Sequence, residues 1–454
     1  MASRRELDLL ARQEDDADKD SPNELIARFL IRAALRAASG QRQLRRTLVL
    51  VCGYPPKAAA VDSAFSRFSQ RSVCLHPYCC SESPDSVADL LVSKGFKPLG
   101  LVPFADCAVH MSDVMNARLG VPHNDPATSS FRRDKYLQQE VLRAAGLPAP
   151  LQIVTSDAAA AKEFAMEHGR VVVKPRNASG GDGVWLCDLP EDVEKSLEQE
   201  LGKAHQELGT NTEMVVVQAL LGEEWIVNTV TRDGVHKVSD VWYGPAKFLS
   251  PAPGPRHFVY NVQFLAGESP RLLEVVQMVK DSLSALGLRN GAAHTELVWL
   301  DRPYLYEVNA RCSGGLPRVP EPPTQLDVLA MSLCDPDSFL ALPDVPPESM
   351  TNRAAVVFLI APFDGWLTAT GLRQMSWLST FARFERGLTG AKAPFMSIKV
   401  SKTVGLFSSP GALVLHGDGL DVQRDAQLLR QIEETAYATS RPEDDLAPPQ
   451  AEEQ

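Results

Sequence analysis

The sequence contains no Cys-x-x-Cys pair, although it has eight cysteines. This absence disfavours zinc sites and thioredoxin-like redox motifs, and we interpret the cysteines as reduced thiols. The chain also lacks an apolar run near the roughly 20 residues that a membrane span needs. Its first residues are too acidic and too polar for a secretory signal. We therefore expect a cytoplasmic protein with no membrane span.

Positive charge is also scarce, since 46 Lys and Arg face 57 Asp and Glu, for a formal net charge of −11. This balance disfavours nucleic acid and anionic membranes as partners. Two phosphate-binding motifs are missing: no GxGxxG follows the first predicted strand, at 47–53, and there is no GxxxxGK[ST]. Dinucleotide-binding and Walker A readings therefore have no support.

What the chain does have is an acidic hairpin within residues 291–315. Aromatic and β-branched residues predict two strands, and a two-residue Asp301-Arg302 loop would place Glu296 opposite Glu307. Opposed carboxylates repel unless a cation lies between them, and Mg²⁺ accepts one or two protein carboxylates. Asn309 would add a neutral oxygen ligand. The alternative is a solvated hairpin whose carboxylates point at water.

The end of that hairpin carries groups suited to negative charge. Arg311 follows Asn309, and Ser313, Gly314 and Gly315 could form a backbone anion nest beside it.

A lysine and a glycine-rich loop lie earlier in the chain. Residues 170–175 predict a strand that carries Lys174 near its end, and the loop that follows contains the sequence SGGDG. Glycines let backbone N–H groups approach phosphate oxygens closely, and Lys174 would add a point charge. Lys135 lies in a predicted helix at 129–145, capped by Ser129 or Ser130. A glycine-rich hairpin turn and a solvated surface lysine are the alternatives.

Two further segments suggest a binding cleft. Residues 214–227 predict a buried strand, an apolar linker and a second strand that begins near Glu224, and the linker could present backbone groups to a purine edge. Residues 243–261 are rich in Pro and Gly and fit no regular element, as is common for lids and binding loops. Lys247, Arg256 and His257 in this loop are candidate contacts for an anionic substrate, with a solvated surface loop as the alternative.

We predict a fold of the α/β class, in the wider sense that includes α+β, for the whole chain. We expect a charged leader at 1–45 with an amphipathic helix at 23–38, an N-terminal α/β domain at 46–128, a central domain at 129–340 divided near 220, a C-terminal α+β domain at 350–440, and a disordered tail at 441–454.

In this order, the motifs resemble those of the ATP-grasp superfamily. The resemblance covers residues 47–437 and is concentrated between 131 and 315, where SGGDG, VVVQALLGEEW, HTELVWL and YEVNARCSGG follow one another. The phrases GAAHTELVW and SSFRRDKYLQQEVLRAAGLPAP are most similar to the L-amino acid ligase branch, which includes bacilysin-type dipeptide synthetases and carnosine synthases. The resemblance implies an ATP-grasp fold between an N-terminal pre-ATP-grasp domain and a C-terminal α+β domain.

The resemblance also implies roles for individual residues. Arg311, Lys174 and the N–H groups of Gly314 and Gly315 would stabilise developing charge. Glu296, Glu307 and Asn309 would hold Mg²⁺, with Mn²⁺ as an alternative ion. His257, His294 and Arg311 would contact the substrate. ATP would be bound by Lys135, Lys174, Ser179, Gly180, Gly181, Gly183, Gln218, Leu221 and Glu224, with Gln218 standing where the family commonly has a Glu that faces the adenine amine.

The implied activity is an ATP-dependent carboxylate–amine ligase that releases ADP and phosphate. The partners would be small molecules, namely ATP, a carboxylate and an amine, with a homodimer contact through 23–38 left open. One alternative is another carboxylate-activating enzyme of the superfamily, such as a carboxylase or a nucleotide-biosynthesis ligase. A non-catalytic ATP-binding protein of synapsin type is the other.

Overall fold

The computed structural model describes residues 48–52, 71–75, 98–178, 180–205, 209–250, 254–314, 318–321, 323–385 and 396–442, with a few single positions between 61 and 92. The leader predicted at 1–45 and nearly all of the tail predicted at 441–454 lie outside these residues. The chain divides into two compact units, Met1–Pro126 and Ala127–Gln454.

The first unit contains a parallel sheet in the order β2-β1-β3, formed by β1 (Leu48–Cys52), β2 (Arg71–Leu75) and β3 (Pro98–Pro103). Helix α1 (Ala108–Leu119) follows β3. The Asn116 side chain fastens α1 to the sheet because it bonds both the N–H and the carbonyl of Leu101, at 2.6 and 2.9 Å. This is the α/β alternation expected from the sequence.

The second unit holds the remaining elements. Its helices are α2 (Lys135–Ala144), α3 (Ala158–His168), α4 (Pro190–Glu200), α5 (Pro270–Ala285), α6 (Gln325–Cys334), α7 (Pro336–Ala341), α8 (Ala369–Ser376) and α9 (Gly419–Ala436), and short 3₁₀ helices occur at Pro126–Arg132, Glu348–Met350 and Leu406–Ser408. Its strands are β4 (Gln152–Thr155), β5 (Val171–Pro175), β6 (Trp185–Cys187), β7 (Ala204–His205), β8 (Gly209–Thr210), β9 (Met214–Gln218), β10 (Glu223–Arg232), β11 (Val235–Gly244), β12 (Phe248–Leu249), β13 (Phe258–Val259), β14 (Val262–Leu265), β15 (Gly291–Trp299), β16 (Pro303–Asn309), β17 (Ala354–Phe358), β18 (Gly365–Leu367), β19 (Phe381–Glu385), β20 (Ile398–Val400), β21 (Ala412–His416) and β22 (Tyr437–Ala438).

A small antiparallel sheet in the order β4-β9-β5-β6 carries Lys174. Apolar residues of α3 and α4, among them Phe164, Val193 and Leu197, pack against this sheet and form its core. The glycine-rich loop joins β5 to β6, so Lys174, near the end of β5, lies next to the start of the loop.

A large antiparallel sheet has the order β16-β15-β10-β11-β14-β17-β21-β19. Its last three strands come from the segment predicted as a separate domain at 350–440, and they continue the ladder of the central strands through β14 and β17. The domain boundaries drawn from the sequence stay predictions. Within the described residues, no helix is both long and apolar enough to cross a membrane.

In the acidic hairpin, Glu296 pairs with Glu307 as predicted, but the register of the two strands near the loop differs from the predicted one. Trp299 pairs with Pro303, so the loop is longer than the two residues expected from Asp301-Arg302. A β-bulge between Glu296 and Leu297 absorbs the difference, and Glu296 still pairs with Glu307. The extra residue on β16 is Tyr306, which a regular ladder would have turned to the other face.

Two further expectations are corrected. The helix predicted at 129–145 is a 3₁₀ helix followed by α2, because Asp134, and not Ser129 or Ser130, accepts the N–H groups of Tyr136 and Leu137. The loop at 243–261 contains a short strand pair, β12 with β13. The turn predicted at Asp233-Gly234 is confirmed, with φ of 50° and 85° at these two residues.

Candidate active site

A cavity of about 150 Å³ is lined by residues from the four-stranded sheet and the eight-stranded sheet of the second unit, together with neighbouring loops. It brings together many of the predicted site residues, namely Lys135, Lys174, Gly180, Gly181, Gln218, Leu221, Glu224, His257, Glu296 and Glu307. Gly183, His294, Asn309, Arg311 and Gly314 are not among its lining residues. Ser179 and Gly315 lie outside the residues that the structure describes.

Two buried lysines approach one carboxylate in this cavity. The Lys135 Nζ lies 3.0 Å from a Glu307 oxygen and also donates to the carbonyl of Ala178, at the start of the glycine-rich loop. Burial lowers the pKa of Lys174 to about 8, with the Glu307 carboxylate opposing this shift and Lys135 adding to it. Lys135 and Lys174 thus place two amino groups near Glu307, and an anionic ligand such as a phosphate would offset the repulsion between their charges.

The glycine-rich loop has a backbone that few other residues could adopt. Gly180, Gly181 and Gly183 have φ of 68°, 78° and 67°. A Cβ on Gly183 would lie 2.8 Å from Pro175 and 2.9 Å from Glu200, whereas one on Gly181 would meet nothing within 4 Å. The loop is therefore close-packed at Gly183 and open at Gly181, where N–H groups can approach a ligand.

The carboxylates of Glu224 and Glu296 are joined by Lys247. The Lys247 Nζ is 2.8 Å from Glu224 and 3.7 Å from Glu296. The Tyr306 hydroxyl lies 3.2 Å from Glu224 and 2.5 Å from Glu296, and it accepts a hydrogen bond from Lys247 at 3.1 Å. The Lys247 ammonium also lies over the Tyr260 ring, 4.3 Å from its centroid. This cluster is buried and fully paired.

The pKa values follow from this pairing. Burial raises the pKa of Glu224, although Lys247 opposes the shift. Burial also acts to raise the pKa of Glu296, but Lys247 and His294 outweigh it and hold that pKa well below its ordinary value. Burial acts to lower the pKa of Lys247, but Glu224 and other neighbours hold it well above its ordinary value. Lys247 is therefore a cation, and Glu296 is an anion.

His294 extends the polar cluster along the sheet. Its Nε2 lies 3.4 Å from Glu296, and its Nδ1 lies 2.8 Å from the Asn228 side-chain oxygen. The Asn228 amide donates to Asp240 at 2.5 Å, so its oxygen faces His294, and the hydrogen between them belongs to His294 Nδ1. Burial raises the pKa of Asp240, with the bond from Asn228 opposing it.

The other two candidates from the 243–261 loop, His257 and Arg256, differ in their surroundings. The His257 ring packs on Trp185 with centroids 3.7 Å apart, and its Nδ1 lies 3.0 Å from the carbonyl of Val184. Arg256 forms an ion pair with Asp188, and its backbone bonds Leu186 in both directions. Arg256 therefore fastens the loop to β6, and its role as a contact for an anionic substrate stays a prediction.

Asn309 and Arg311 lie at the edge of the cluster. Asn309 pairs with His294 across the ladder and is buried. The Arg311 Nη1 donates to the carbonyl of Cys312 at 3.0 Å. Gly314 is exposed, and a Cβ built on it would meet nothing within 4 Å. The side-chain oxygen of Gln325 accepts the N–H of Ser313 at 2.9 Å.

The donor set fits a magnesium ion. Glu296 and Glu307 are paired across the strands, with Asn309 two residues further along β16. Hard carboxylate and amide oxygens are the ligands that Mg²⁺ prefers, and substrate oxygens and water complete its shell. Among the residues that the structure describes, no group of three or more His, Cys, Asp or Glu is placed to bind a metal by itself. The chemistry thus suits an ion shared with a phosphate ligand.

Sequence reasoning missed several groups in the cavity. Tyr306 was overlooked because strand alternation places it opposite to Glu307, and only the bulge brings it to Glu296. Tyr260 lines the cavity from the end of the 243–261 loop, and its position there depends on how that loop folds. Gly405 and Leu406 line the cavity from the segment before β21, for which the sequence offers no motif.

The architecture is shared with solved structures. The L-amino acid ligase from Bacillus licheniformis matches with a TM-score of 0.61 at 17% identity, over 86% of this chain and 97% of that one. The carboxyaminoimidazole ribonucleotide synthase from Aspergillus clavatus, complexed with ATP, matches with a TM-score of 0.58 at 12% identity, over 87% of this chain and 100% of that one. At these identities, the likeness defines the class of fold.

Sequence comparison identifies a domain within that class. Residues 132–315 match the family model described as the ATP-grasp domain, so this part of the chain is an ATP-grasp domain. The dapdiamide A synthase of Enterobacter agglomerans is 27% identical over 318 residues, which are 68% of this chain and 72% of that protein.

Proposed function

We propose that this ATP-grasp protein is a ligase that joins a carboxylate to an amine at the expense of ATP. The observation that carries the proposal is the pairing of Glu296 with Glu307 beside the buried lysines Lys135 and Lys174. The likeness to a dapdiamide A synthase and to an L-amino acid ligase supports this reaction class. The proposed carboxylate is that of an amino acid, and the proposed setting is the cytoplasm.

ATP would bind along the cavity. Lys135, Lys174 and the backbone of Gly180, Gly181 and Gly183 would hold the phosphates, together with Ser179. The side-chain oxygen of Gln218 and the backbone of Leu221 would face the adenine, and Glu224 would accept from the ribose hydroxyls. Lys247 and Tyr306 both contact the Glu224 Oε1 atom, at 2.8 and 3.2 Å, so the ribose hydroxyls would donate to Oε2.

Mg²⁺, or Mn²⁺ in its place, would be held by Glu296, Glu307 and Asn309. The bound ion would withdraw charge from the phosphate oxygens and favour transfer of the γ-phosphoryl group. Glu296 is suited to this role because its low pKa keeps it ionised at neutral pH. Lys135 would fix the orientation of Glu307, to which it is ion-paired.

The reaction would proceed in two steps. A carboxylate oxygen of the first substrate attacks the γ-phosphorus, and the bond to ADP breaks, which gives an acyl phosphate. The amine nitrogen of the second substrate then attacks the carbonyl carbon, phosphate leaves, and the nitrogen loses a proton to give an amide. Lys174, Arg311 and the N–H groups of Gly314 and Gly315 would stabilise the negative charge that develops in both steps. His257 and His294 would contact the substrates, and a homodimer is a further proposal.

A second candidate is another carboxylate-activating reaction of the superfamily. The likeness to a carboxyaminoimidazole ribonucleotide synthase favours it. A requirement for bicarbonate, or ADP release that depends on a phosphorylated amine, would establish this candidate. Nucleotide binding without turnover under any substrate mixture would instead indicate a non-catalytic protein of synapsin type.

A phosphate-release screen tests the proposal. Purified protein is incubated with ATP, Mg²⁺ and pairs of amino acids, and the products are identified by mass spectrometry. We expect phosphate and ADP in equal amounts with an amide-linked product for at least one pair. Phosphate release without an amide, or an amide that forms with AMP, would contradict the proposed reaction.

A further inference from the structure

An aromatic side chain from the segment before β21 contacts the glycine-rich loop. A Cβ built on Gly180 would lie 2.5 Å from the Cζ atom of Phe407, so the ring packs directly against that glycine. Phe407 is nevertheless 76% exposed. The neighbouring residues Gly405 and Leu406 line the same cavity as Gly180 and Gly181 of the loop. The ring therefore contacts the loop, and the turn that carries the ring forms part of the wall of the same cavity.

The turn that carries Phe407 is held firmly. The Ser408 hydroxyl accepts the N–H groups of Val404 and Gly405, at 2.8 and 3.0 Å. Before it, the backbone and hydroxyl of Thr403 bond Ala361, at 2.9 and 2.8 Å. Leu406 packs against a buried apolar cluster that includes Trp242 and Phe358. The Phe407 ring is thus presented by a fixed support.

The loop, in contrast, is anchored unevenly. Its far end is close-packed at Gly183, which lies against Pro175 and Glu200. Gly181 has no neighbour within 4 Å of a Cβ position. The contact at Gly180 with Phe407 therefore restrains the part of the loop that the packing at Gly183 does not reach. Because Gly180 has a φ of 68° and no side chain, the ring can lie directly on its backbone.

We infer that Phe407 is a positioning residue that holds the glycine-rich loop over the phosphates of bound ATP. The inference rests on the proposed function, since it needs ATP in this cavity. Burial of more of the apolar surface of an exposed ring lowers the free energy of the protein. Movement of the loop onto the phosphates would bury the ring further against Gly180, so that part of the affinity for ATP would come from this contact.

The test measures ATP binding and loop protection in wild type and in Phe407→Ala. MgATP affinity is measured by calorimetry, and hydrogen exchange of the Gly180–Gly183 amides is followed by mass spectrometry with and without MgATP. We expect Phe407→Ala to weaken MgATP binding about tenfold, the loss expected when one ring loses its burial. We also expect the loop amides to lose the protection that MgATP confers on wild type. Phe407→Tyr, which keeps the ring, should restore both.

Trp377→Ala is the matched control. Trp377 is 75% exposed in the same unit and ends α8, away from the cavity-lining residues. It should behave as wild type. Unchanged affinity and protection in Phe407→Ala, or equal losses in Trp377→Ala, would overturn the role of Phe407 alone. Failure of wild type to bind MgATP would overturn the proposed function and this inference with it.

Discussion

At the scale of single residues, burial opposes charge throughout the cavity, and Lys174 shows this most clearly. Its pKa is about 8 instead of the ordinary 10.5, because burial disfavours the ammonium form. Between these two values, the folded protein binds fewer protons than the unfolded chain, so the free energy of unfolding rises with pH across that window. Below pH 8, the charged Lys174 destabilises the fold by about 3 kcal/mol.

Replacement of Lys174 should therefore stabilise the protein while it removes function. We predict that Lys174→Met raises the melting temperature at pH 7 and abolishes the rise in stability between about pH 8 and 10.5. The same variant should lose MgATP binding, because it lacks the phosphate contact. Thermal unfolding across pH, with Lys162→Met as a partly exposed control, measures the first effect. A lower melting temperature than wild type at pH 7 would show that the buried charge is stabilising.

Lys247 should behave in the opposite way, because it is the counter-ion of two buried carboxylates. Removal of one partner from a buried ion pair typically costs about 3–5 kcal/mol, since the other charge stays buried without compensation. We predict that Lys247→Met lowers the melting temperature strongly in EDTA, and that Mg²⁺ raises it more in the variant than in wild type.

The control for this prediction is Lys195→Met, which removes an exposed lysine 3.7 Å from Asp192 and should change stability little. If Lys247→Met and Lys195→Met unfold at similar temperatures in EDTA, the buried cluster does not depend on Lys247.

At the scale of elements, helix α2 places Lys135 because Asp134 caps it. The Asp134 carboxylate accepts two helix N–H groups and also pairs with Arg176, which follows β5. The backbone N–H of Lys135 bonds the Arg176 carbonyl at 2.9 Å. Arg176 thus connects the start of α2 to the segment that leads into the glycine-rich loop.

A pair of variants separates the cap from the ion pair. Asp134→Ala should lower the free energy of unfolding by about 1–2 kcal/mol, through loss of the cap. Asp134→Asn keeps a capping oxygen and loses only the partly exposed ion pair, so its stability should lie near wild type. Chemical denaturation measures both. Equal losses in the two variants would mean that the charge on Asp134, and not the cap, holds α2.

The elements also show what the sequence could predict. Alternation and turn chemistry predicted that Glu296 lies opposite Glu307, although the structure reaches this pairing through a three-residue loop and a compensating bulge. They could not reveal Tyr306, since a bulge depends on packing across the sheet. Likewise, polar residues before α2 offered several caps, and only the contact of Asp134 with Arg176, far along the chain, selects one.

At the scale of the whole molecule, the site depends on strands and loops from distant parts of the chain. The order of motifs was enough to predict the ATP-grasp fold, which the family model and the solved structures confirm. The contributions of Gly405 and Leu406 were not predictable, because they arise only when β17 and β21 continue the large sheet.

Activity should be lost when either a carboxylate proposed to bind the metal ion or the arginine proposed to stabilise negative charge is removed. We predict that Glu307→Ala or Arg311→Ala lowers ADP release about 10²–10³-fold, the usual cost of one lost electrostatic contact in phosphoryl or acyl transfer. Steady-state ADP assays measure this, with Arg302→Ala, an exposed residue of the hairpin loop, as the control. More than a tenth of wild-type ADP release in either site variant would count against the assigned roles.

The central claim is that Glu296 and Glu307 together bind a divalent ion beneath the phosphates of ATP. The most direct measurement is a crystal structure with ATP and Mn²⁺, in which anomalous scattering locates the ion. We expect a peak about 2.0–2.3 Å from oxygens of both carboxylates, and no peak there in Glu307→Ala. An ion bound away from either carboxylate, or an unchanged peak in that variant, would contradict the claim.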